Sequence, residues 1–330
     1  MLTCVLSISR VLLIECWVVF NFRMHYNRVM KKLLLFSVLY FGFTSFSYSD
    51  DAWDAYIIND RTSCNDNGML AYEDGNYQRA FKKYMICAEE GDEFSQYMVG
   101  IMYKNGQGVN QDYKKAFDWV SKSANQGYYF AQHKLTDFYE LGIGVLKDDK
   151  LVFSWNLKAA EQGHAISQYN VAQNYREGRG VLKNYKKAVT WYKKAAEQDS
   201  TIAQTALGVM YVNGDGVLKD YKQAIYWLEK ATEQEEDNAL AIVVLASLYA
   251  NGDGVLKDYK KAFKMYEKAA RIDDKSYGSG YGQYYLGVMY IEGKGTQKSL
   301  KNAAYWINKA YESGNNDAEK TWNKYELWNY

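Results

Sequence analysis

Glycine pairs followed by a lysine recur along the chain and are the first pattern with possible chemistry. The pairs lie at 106/108, 142/144, 178/180, 214/216, 252/254 and 293/295. A phosphate-binding glycine loop needs a third glycine and a preceding strand, whereas here no third glycine follows and a helical pattern precedes. A calcium loop needs oxygen ligands at fixed places. The residue between the glycines is Gln107, Ile143, Arg179, Asp215, Asp253 and Lys294 in turn. The phrase therefore predicts a solvated turn.

Other catalytic and metal-binding patterns are missing from the sequence. The histidines His25, His133 and His164 lack metal-ligand spacing and have no cysteine partner. A Ser-x-x-Lys motif, which an acylating serine enzyme uses, occurs nowhere in the sequence. We therefore expect no catalytic residue, no metal and no cofactor.

Composition and charge exclude further classes of protein. The 330 residues are 48% hydrophobic and 16% aromatic and include no proline, which suits a folded and largely helical chain. The formal net charge is +1, and residues 1–49 hold five basic groups and one acid, so the remainder is slightly acidic. Because no basic stripe remains, we expect no binding to nucleic acid.

Residues 30–49 have the pattern of a secretory signal peptide. A charged start is followed by an apolar run at 33–46 and by small residues before Asp50. The pattern predicts cleavage before Asp50 and export to the bacterial periplasm or the medium. The run is short for a membrane span, so no stable span is expected after cleavage. Residues 1–29 are interpreted as a mis-assigned upstream extension, with a long n-region or an uncleaved double anchor as the alternative, and 50–63 as a short N-terminal segment.

The turns are separated by 36, 36, 36, 38 and 41 residues, which indicates stacked supersecondary units. Before each turn, small or apolar residues lie four and eight positions ahead of a tyrosine and share one face of a first helix. After each turn, a second helix carries a large side chain, which is Met265 in the fifth unit. The tryptophans at this place are predicted to be structural core: Trp119, Trp155, Trp191, Trp227 and Trp306.

The paired glycines of each turn have a predicted backbone role. Glycine allows the positive φ with which a helix ends and the chain reverses within a few residues. The predicted turn glycines are Gly106, Gly108, Gly142, Gly144, Gly178, Gly180, Gly214, Gly216, Gly252, Gly254, Gly293 and Gly295.

A residue able to cap the next helix follows each of the first five glycine pairs, and the last unit departs from the pattern. Its side chain is expected to accept a hydrogen bond from a backbone N–H in the first turn of that helix. These predicted caps are Asp112, Asp148, Asn184, Asp220 and Asp258, whereas the last unit has Ser299 at this place.

The repeated unit resembles the Sel1-like repeat, a relative of the tetratricopeptide repeat. The fourth copy carries the pattern most fully, through Ala203, Gln204, Leu207, Gly208, Tyr211, Gly214, Gly216, Val217, Asp220, Ala224 and Trp227. Six copies are assigned to 92–127, 128–163, 164–199, 200–237, 238–277 and 278–314. The resemblance implies an all-α fold, a right-handed α/α solenoid of helical hairpins with a concave inner face.

The ends of the array have their own predictions. Residues 64–91 resemble a tetratricopeptide hairpin, and residues 315–330 form a closing helix. Cys64 and Cys87 lie eleven residues before and twelve after Gly75, so they face each other in an antiparallel hairpin. After export this pair is predicted to form a disulfide, with two buried thiols as the alternative.

The resemblance also implies where a partner binds. In related tetratricopeptide arrays the first helix of each hairpin lines the groove, and the matching positions here mix aromatic, polar and charged side chains. The candidates are Tyr97, Lys104, His133, Asp137, Tyr169, Gln173, Arg176 and Tyr284. The alternative is that these side chains only complete an amphipathic surface.

The resulting hypothesis is an exported, monomeric and non-catalytic scaffold for a protein or peptide. The rival is a cell-wall-active or β-lactamase-like enzyme of the secreted Sel1 kind. A eukaryotic luminal adaptor is disfavoured by the Met-Lys-Lys start of the predicted signal peptide at 30–49.

Overall fold

The computed structural model describes residues 63–234, 238–272 and 277–330. The predicted signal peptide at 30–49, the segment 1–29 and residues 50–62 lie outside these ranges. Within the described ranges the chain forms helices and turns and contains no strand, which confirms the predicted all-α fold.

In the described part of the chain, consecutive helices pair into seven hairpins, which are followed by one more α-helix and by a 3-10 helix at Leu327–Asn329. The α-helices are α1 (Ser63–Glu73), α2 (Tyr77–Glu89), α3 (Glu93–Asn105), α4 (Tyr113–Asn125), α5 (Tyr129–Leu141), α6 (Asp149–Glu161), α7 (Ala165–Glu177), α8 (Tyr185–Ala196), α9 (Thr201–Asn213), α10 (Tyr221–Gln234), α11 (Ala239–Asn251), α12 (Tyr259–Arg271), α13 (Tyr277–Glu292), α14 (Leu300–Glu312) and α15 (Asn316–Lys324). Each hairpin packs on the next, so the hairpins form an α/α solenoid. None of the described helices has both the length and the apolar character needed to cross a membrane.

Every predicted turn glycine has a positive φ, between 68° and 82°, so the predicted backbone role is confirmed for both members of each pair. The first glycine of a pair directly follows the first helix of a hairpin and ends it in the left-handed conformation. These first glycines are Gly106, Gly142, Gly178, Gly214, Gly252 and Gly293. The second glycines are Gly108, Gly144, Gly180, Gly216, Gly254 and Gly295.

The turn after α7 shows how one helix ends and the next begins. Gly178 has a φ of 80°, and its N–H donates to the carbonyl of Asn174 at 2.8 Å. The Asn184 side chain then accepts the N–H of Lys187 at 3.0 Å and so begins α8. The predicted caps are therefore also confirmed, since the same bond is made by Asp112, Asp148, Asp220 and Asp258. Ser299 makes it too, which was not predicted from the sequence.

The second glycine of each pair has a further role, which appears only when the hairpins are packed. A Cβ atom on Gly180 would overlap the carbonyl of Asp149, the first residue of α6 in the preceding hairpin. A Cβ atom on Gly295 would overlap the carbonyl of Tyr259 at the start of α12 in the same way. Each of these turns therefore lies directly on the start of the preceding hairpin's second helix, and only glycine permits that approach.

Buried glutamines on five of the first helices link their hairpins to the preceding ones, whereas α11 has Ile242 at this position. The Nε2 atom of Gln132 donates to the carbonyl of Ala124 at 3.2 Å, and its Oε1 atom accepts from Gln162 at 2.9 Å. Equivalent bonds to alanine carbonyls are made four more times along the array. We call this set the glutamine ladder. Its members are Gln96, Gln132, Gln168, Gln204 and Gln283.

The centre of each hairpin is filled by the residue that follows the tryptophan position on the second helix. Each of these residues is 3% exposed or less. They lie against the small residues of the first helix, since a Cβ atom on Gly208 would overlap the side chain of Leu228. This column consists of Val120, Asn156, Tyr192, Leu228, Tyr266 and Ile307.

The tryptophans themselves lie at the rim of this interior. Trp227 is buried, with 6% of its surface exposed, as predicted for structural core. The other four are only half-buried, and in three of them a lysine Nζ lies 3.7 to 4.0 Å from the ring centroid. The prediction of core positions therefore holds for Trp227 and overstates the burial of the rest. The half-buried tryptophans are Trp119, Trp155, Trp191 and Trp306.

The two ends of the array differ in what the structure shows. At the C-terminal end, Trp322 of α15 packs on a cluster that includes Ile307 and Leu327. At the N-terminal end, Cys64 lies in the first turn of α1, and Cys87 is buried near the end of α2. Because the side chain of Cys64 lies outside the described residues, the disulfide stays a prediction.

Candidate functional site

The candidate site is the surface formed by the first helices α3, α5, α7, α9, α11 and α13, which we call the first-helix face. The eight predicted binding residues all lie on these helices, but their burial differs. Tyr97 and His133 are 2% and 7% exposed, so they belong mainly to the interior. The other six are half-buried and can contact a partner without a change in packing: Lys104, Asp137, Tyr169, Gln173, Arg176 and Tyr284.

Three of the predicted residues meet on α7 and form a cluster with a fourth that the sequence did not indicate. The Nε2 atom of Gln173 donates to the hydroxyl of Tyr169 at 2.9 Å, and the Tyr192 hydroxyl donates to Oε1 of Gln173. The Tyr169 and Tyr192 rings lie 5.6 Å apart. Arg176, one turn further along α7, pairs with Glu177 at 2.9 Å. We call Tyr169, Gln173, Arg176 and Tyr192 the α7 cluster.

The electrostatics of the α7 cluster follow from its partial burial. Burial raises the pKa of both tyrosine hydroxyls, so they stay protonated and act as hydrogen-bonding groups at neutral pH. Burial opposes the charge of Arg176, but the carboxylate of Glu177 outweighs it and raises the pKa of the guanidinium. The cluster therefore presents aromatic rings, an amide and a fixed cation, which are groups that anchor protein interfaces.

Tyr192 was missed because it lies on a second helix, α8, one residue after Trp191. The sequence carries a signal for it, since the equivalent position is apolar in three units but is Asn156, Tyr192 or Tyr266 in the other three. In those three units the facing small residue of the first helix is Thr136, Ala172 or Ala246 rather than glycine.

His133 is part of a buried junction between hairpins rather than of an open surface. Its ring lies 4.9 Å from that of His164, and the Ser167 hydroxyl is 2.8 Å from Nδ1 of His164 and 3.3 Å from Nδ1 of His133. Burial, helped by the neighbouring His133, lowers the pKa of His164 to about 3, so this ring is neutral at pH 7. Tyr97 lies in the adjoining aromatic cluster, with its ring 5.5 Å from that of Tyr128.

Ser167 and His164 are the residue types of a catalytic nucleophile and its general base, but the Ser167 hydroxyl is not accessible from the surface. Ser167 is 0% exposed, so no substrate reaches its hydroxyl in this structure. Within the described residues, no three histidine, cysteine, aspartate or glutamate side chains are grouped so that they could hold a metal ion.

The remaining candidates lie apart from the α7 cluster. Asp137 pairs with the buried Lys134 one turn earlier, at 3.3 Å. The Tyr284 hydroxyl lies 3.2 Å from that of Thr321, so the C-terminal helix α15 partly covers this end of the face. The eight predicted residues therefore form several separate groups, of which only the α7 cluster unites three of them.

Helical hairpins joined by glycine turns and packed in sequence define a solenoid repeat protein. Its repeats match a family model described as the Sel1 repeat six times, so the chain belongs to the Sel1 repeat family. The matched residues are 94–128, 130–164, 165–200, 201–235, 239–274 and 280–315.

Solved structures agree with this assignment. A Sel1 repeat protein from Oxalobacter formigenes is 29% identical, with a TM-score of 0.67, and the match covers 74% of this chain and 98% of that one. A protective antigen present in uropathogenic Escherichia coli strains is 28% identical, with a TM-score of 0.62, over 74% of this chain and 60% of that chain. The chain thus spans only part of the length of the antigen. The comparison with curated proteins found no match.

Proposed function

We propose that this protein is an exported, non-catalytic scaffold that binds a protein or peptide along the first-helix face. The observation that carries the proposal is the α7 cluster, where half-buried Tyr169, Gln173 and Arg176 converge on one patch. Members of the Sel1 repeat family are typically protein-interaction scaffolds, which supports the same class of function. Export is proposed from the signal-peptide pattern at 30–49.

The proposed partner fits the chemistry of the α7 cluster. Tyrosine rings offer large apolar area with a polar end, so they bury well against a partner at a low entropy cost. Arg176 already has one carboxylate beside it, and its remaining N–H groups are able to bind carbonyl or carboxylate oxygens of a peptide. We therefore expect an extended or helical peptide segment that combines apolar and acidic side chains.

The test is capture of partners from the envelope of the cell that makes the protein. The wild type and a variant carrying Tyr169→Ala and Arg176→Glu serve as bait, and Lys264→Glu on the second helix α12 is the charge-matched control. We expect the same partner with the wild type and the control and at least a tenfold loss with the double variant. Equal capture by all three proteins would contradict a site on the first-helix face.

The rival enzyme hypothesis has its own test. Because Ser167 is buried and the sequence has no Ser-x-x-Lys motif, we expect the purified protein not to hydrolyse nitrocefin. Turnover that is abolished by Ser167→Ala and kept by Ser123→Ala, a change at another buried serine, would overturn the scaffold proposal.

The predicted disulfide follows from the same proposal, because an exported chain meets an oxidising compartment. We expect that Cys64 and Cys87 of the secreted protein resist alkylation until a reductant is added, and that reduction destabilises the first hairpin by about 3 kcal/mol. Full alkylation of both thiols without reductant would contradict the bond.

A further inference from the structure

Four consecutive Gly-x-Gly turns each present a leucine that is almost completely exposed. The exposed fractions are 88, 89, 91 and 92%. A single exposed leucine needs no explanation, but the same exposure at one position of four successive units does. We call this set the leucine row: Leu146, Leu182, Leu218 and Leu256.

The leucines of the row are not hairpin core. The preceding residue in each turn is a valine, and Val181 and Val217 pack against the apolar interior. Leu182 and Leu218 directly follow them and point away from it, at 89 and 91% exposure. The valine of the turn therefore packs against the interior and stabilises the fold, whereas the leucine that follows it lies in solvent and adds little to the packing.

The row is continuous along one edge of the solenoid. The second glycine of each turn lies on the start of the second helix of the preceding hairpin, as Gly180 does on Asp149 and Gly216 does on Tyr185. Leu146 and Leu182 lie only three residues before those two contact points. Since neighbouring helices pack about 8–10 Å apart, four adjacent turns extend over roughly 30 Å.

The row has defined ends. The equivalent residue is Asn110 in the turn before the row and Gln297 in the turn after it. A polar side chain is therefore compatible with this position, and leucine is not required for the turn to form.

A lysine follows every leucine of the row and is itself exposed. Three of these lysines lie beside the tyrosine that begins the next helix, with Nζ 4.9, 5.8 and 5.7 Å from the ring centroids. Each turn therefore offers an apolar side chain next to a cation. The lysines are Lys147, Lys183, Lys219 and Lys257.

From this arrangement we propose that the leucine row docks on a membrane surface that contains anionic lipid. A side chain about nine-tenths exposed has almost no protein wall around it, so a rigid peptide would touch it on one side only, whereas acyl chains close around it. The adjacent lysines match the negative charge of lipid headgroups. In three of the turns an aspartate follows the lysine, and its carboxylate accepts backbone N–H groups at the start of the next helix. Leucine then enters the interface while lysine stays at headgroup level.

The experiment measures partition of the protein, as the cell processes it, onto vesicles of phosphatidylcholine with and without 40% phosphatidylglycerol. The test variant carries Leu146→Gln, Leu182→Gln, Leu218→Gln and Leu256→Gln, and Gln297 shows that the turn accepts glutamine. Ile86→Gln with Ile202→Gln, at half-exposed helix positions, is the control. We expect at least tenfold weaker partition for the test variant and an unchanged control.

Hydrogen exchange locates the contact independently of residues 33–46, which are apolar in sequence and lie outside the described residues. We expect anionic vesicles to protect the amides of 144–148, 180–184, 216–220 and 254–258, and 0.5 M salt to weaken the protection. The proposal is overturned if the wild type does not bind vesicles, binds without protection of these turns, or binds no better than the test variant. It is equally overturned if the row instead mediates self-association that the test variant loses.

Discussion

At the scale of single residues, exposure separates the tryptophans that the repeat pattern treats as equivalent. Trp227 is 6% exposed, whereas Trp191 is half-buried with Lys194 Nζ 4.0 Å from its ring centroid. A lysine over the face of an indole adds a cation–π attraction and covers the ring with its aliphatic stem. The same residue type therefore contributes differently to stability in neighbouring units.

We expect Trp227→Ala to lower the free energy of unfolding by about 3–5 kcal/mol, because it leaves a cavity in a fully packed site. Trp191→Ala should cost less, about 2–3 kcal/mol, since water reaches part of that ring already. Chemical denaturation followed by circular dichroism measures both. An equal loss for the two variants would contradict the assignment of Trp191 to the rim.

At the scale of elements, two devices hold successive hairpins in register: the second glycine of each turn and the glutamine ladder. The first works by close approach of backbone to backbone, and the second by hydrogen bonds between neighbouring hairpins. Neither device belongs to one helix, because each joins residues from adjacent units. An isolated hairpin could form neither contact, so part of its stability depends on its neighbours.

The two glycines of one turn should respond differently to alanine. In Gly178→Ala the new Cβ atom lies at 3.3 Å from Lys183, so the main cost is positive φ, about 1 kcal/mol. In Gly180→Ala the Cβ atom overlaps the carbonyl of Asp149, so the hairpins must separate and we expect a loss of at least about 2–3 kcal/mol. Thermal melting of the two variants gives the comparison, and a larger effect at Gly178 would refute the packing role of Gly180.

The glutamine ladder offers a matched pair of substitutions. Gln132 both donates to Ala124 and accepts from Gln162, whereas Oε1 of the buried Gln204 accepts no hydrogen bond. We expect Gln132→Ala to cost about 2–3 kcal/mol, because it removes two hydrogen bonds at a buried side chain. One is its own bond to the carbonyl of Ala124, which then keeps only the N–H of Gly127, and the other is the bond from Gln162. Gln204→Ala should cost about 1 kcal/mol less, since only the bond to a carbonyl is lost. Urea denaturation of both variants measures the two losses of unfolding free energy. A larger loss for Gln204→Ala would show that the hydrogen bonds of the ladder do not determine these losses.

At the scale of the whole molecule, stability depends on each hairpin's contact with its neighbours, so one weak junction can open the array. The junction between the second and third Sel1 repeats contains His133 and His164, with ring centroids 4.9 Å apart. Because burial and His133 lower the pKa of His164 to about 3, the folded state keeps this ring neutral. We therefore expect low pH to destabilise this junction before the others.

The sign of the pH effect follows from proton binding. The unfolded ring has the usual pKa of 6.5 and the folded ring a value of about 3, so between these values the unfolded state binds more protons. Stability should fall as the pH drops below about 6.5, by up to about 2 kcal/mol at pH 5. Urea midpoints at pH 7 and pH 5 measure it. His164→Asn, which keeps a capping side chain, should remove most of the difference, and an unchanged difference would exclude His164 as its source.

Much of the fold was predictable because it depends on local rules. The repeat period, the helices before and after each turn, the αL glycine at Gly178 and the cap at Asn184 follow from residue type and spacing within about ten residues. The candidate site was predictable in part. Tyr169, Gln173 and Arg176 were predicted as binding candidates on one first helix; the structure places them half-buried on α7, and their binding role stays a prediction.

The sequence by itself therefore determined a chain of glycine-linked helical hairpins and the residues that each first helix contributes. Only the packed structure decided that Tyr97 and His133 are buried, that Tyr192 joins the α7 cluster and that the leucine row stays in solvent. The physical reason is that burial of these side chains depends on residues some twenty to forty positions away, brought close by the stacking of hairpins. A pattern within one repeat fixes which face is apolar, but the neighbouring repeat decides how much of that face it covers.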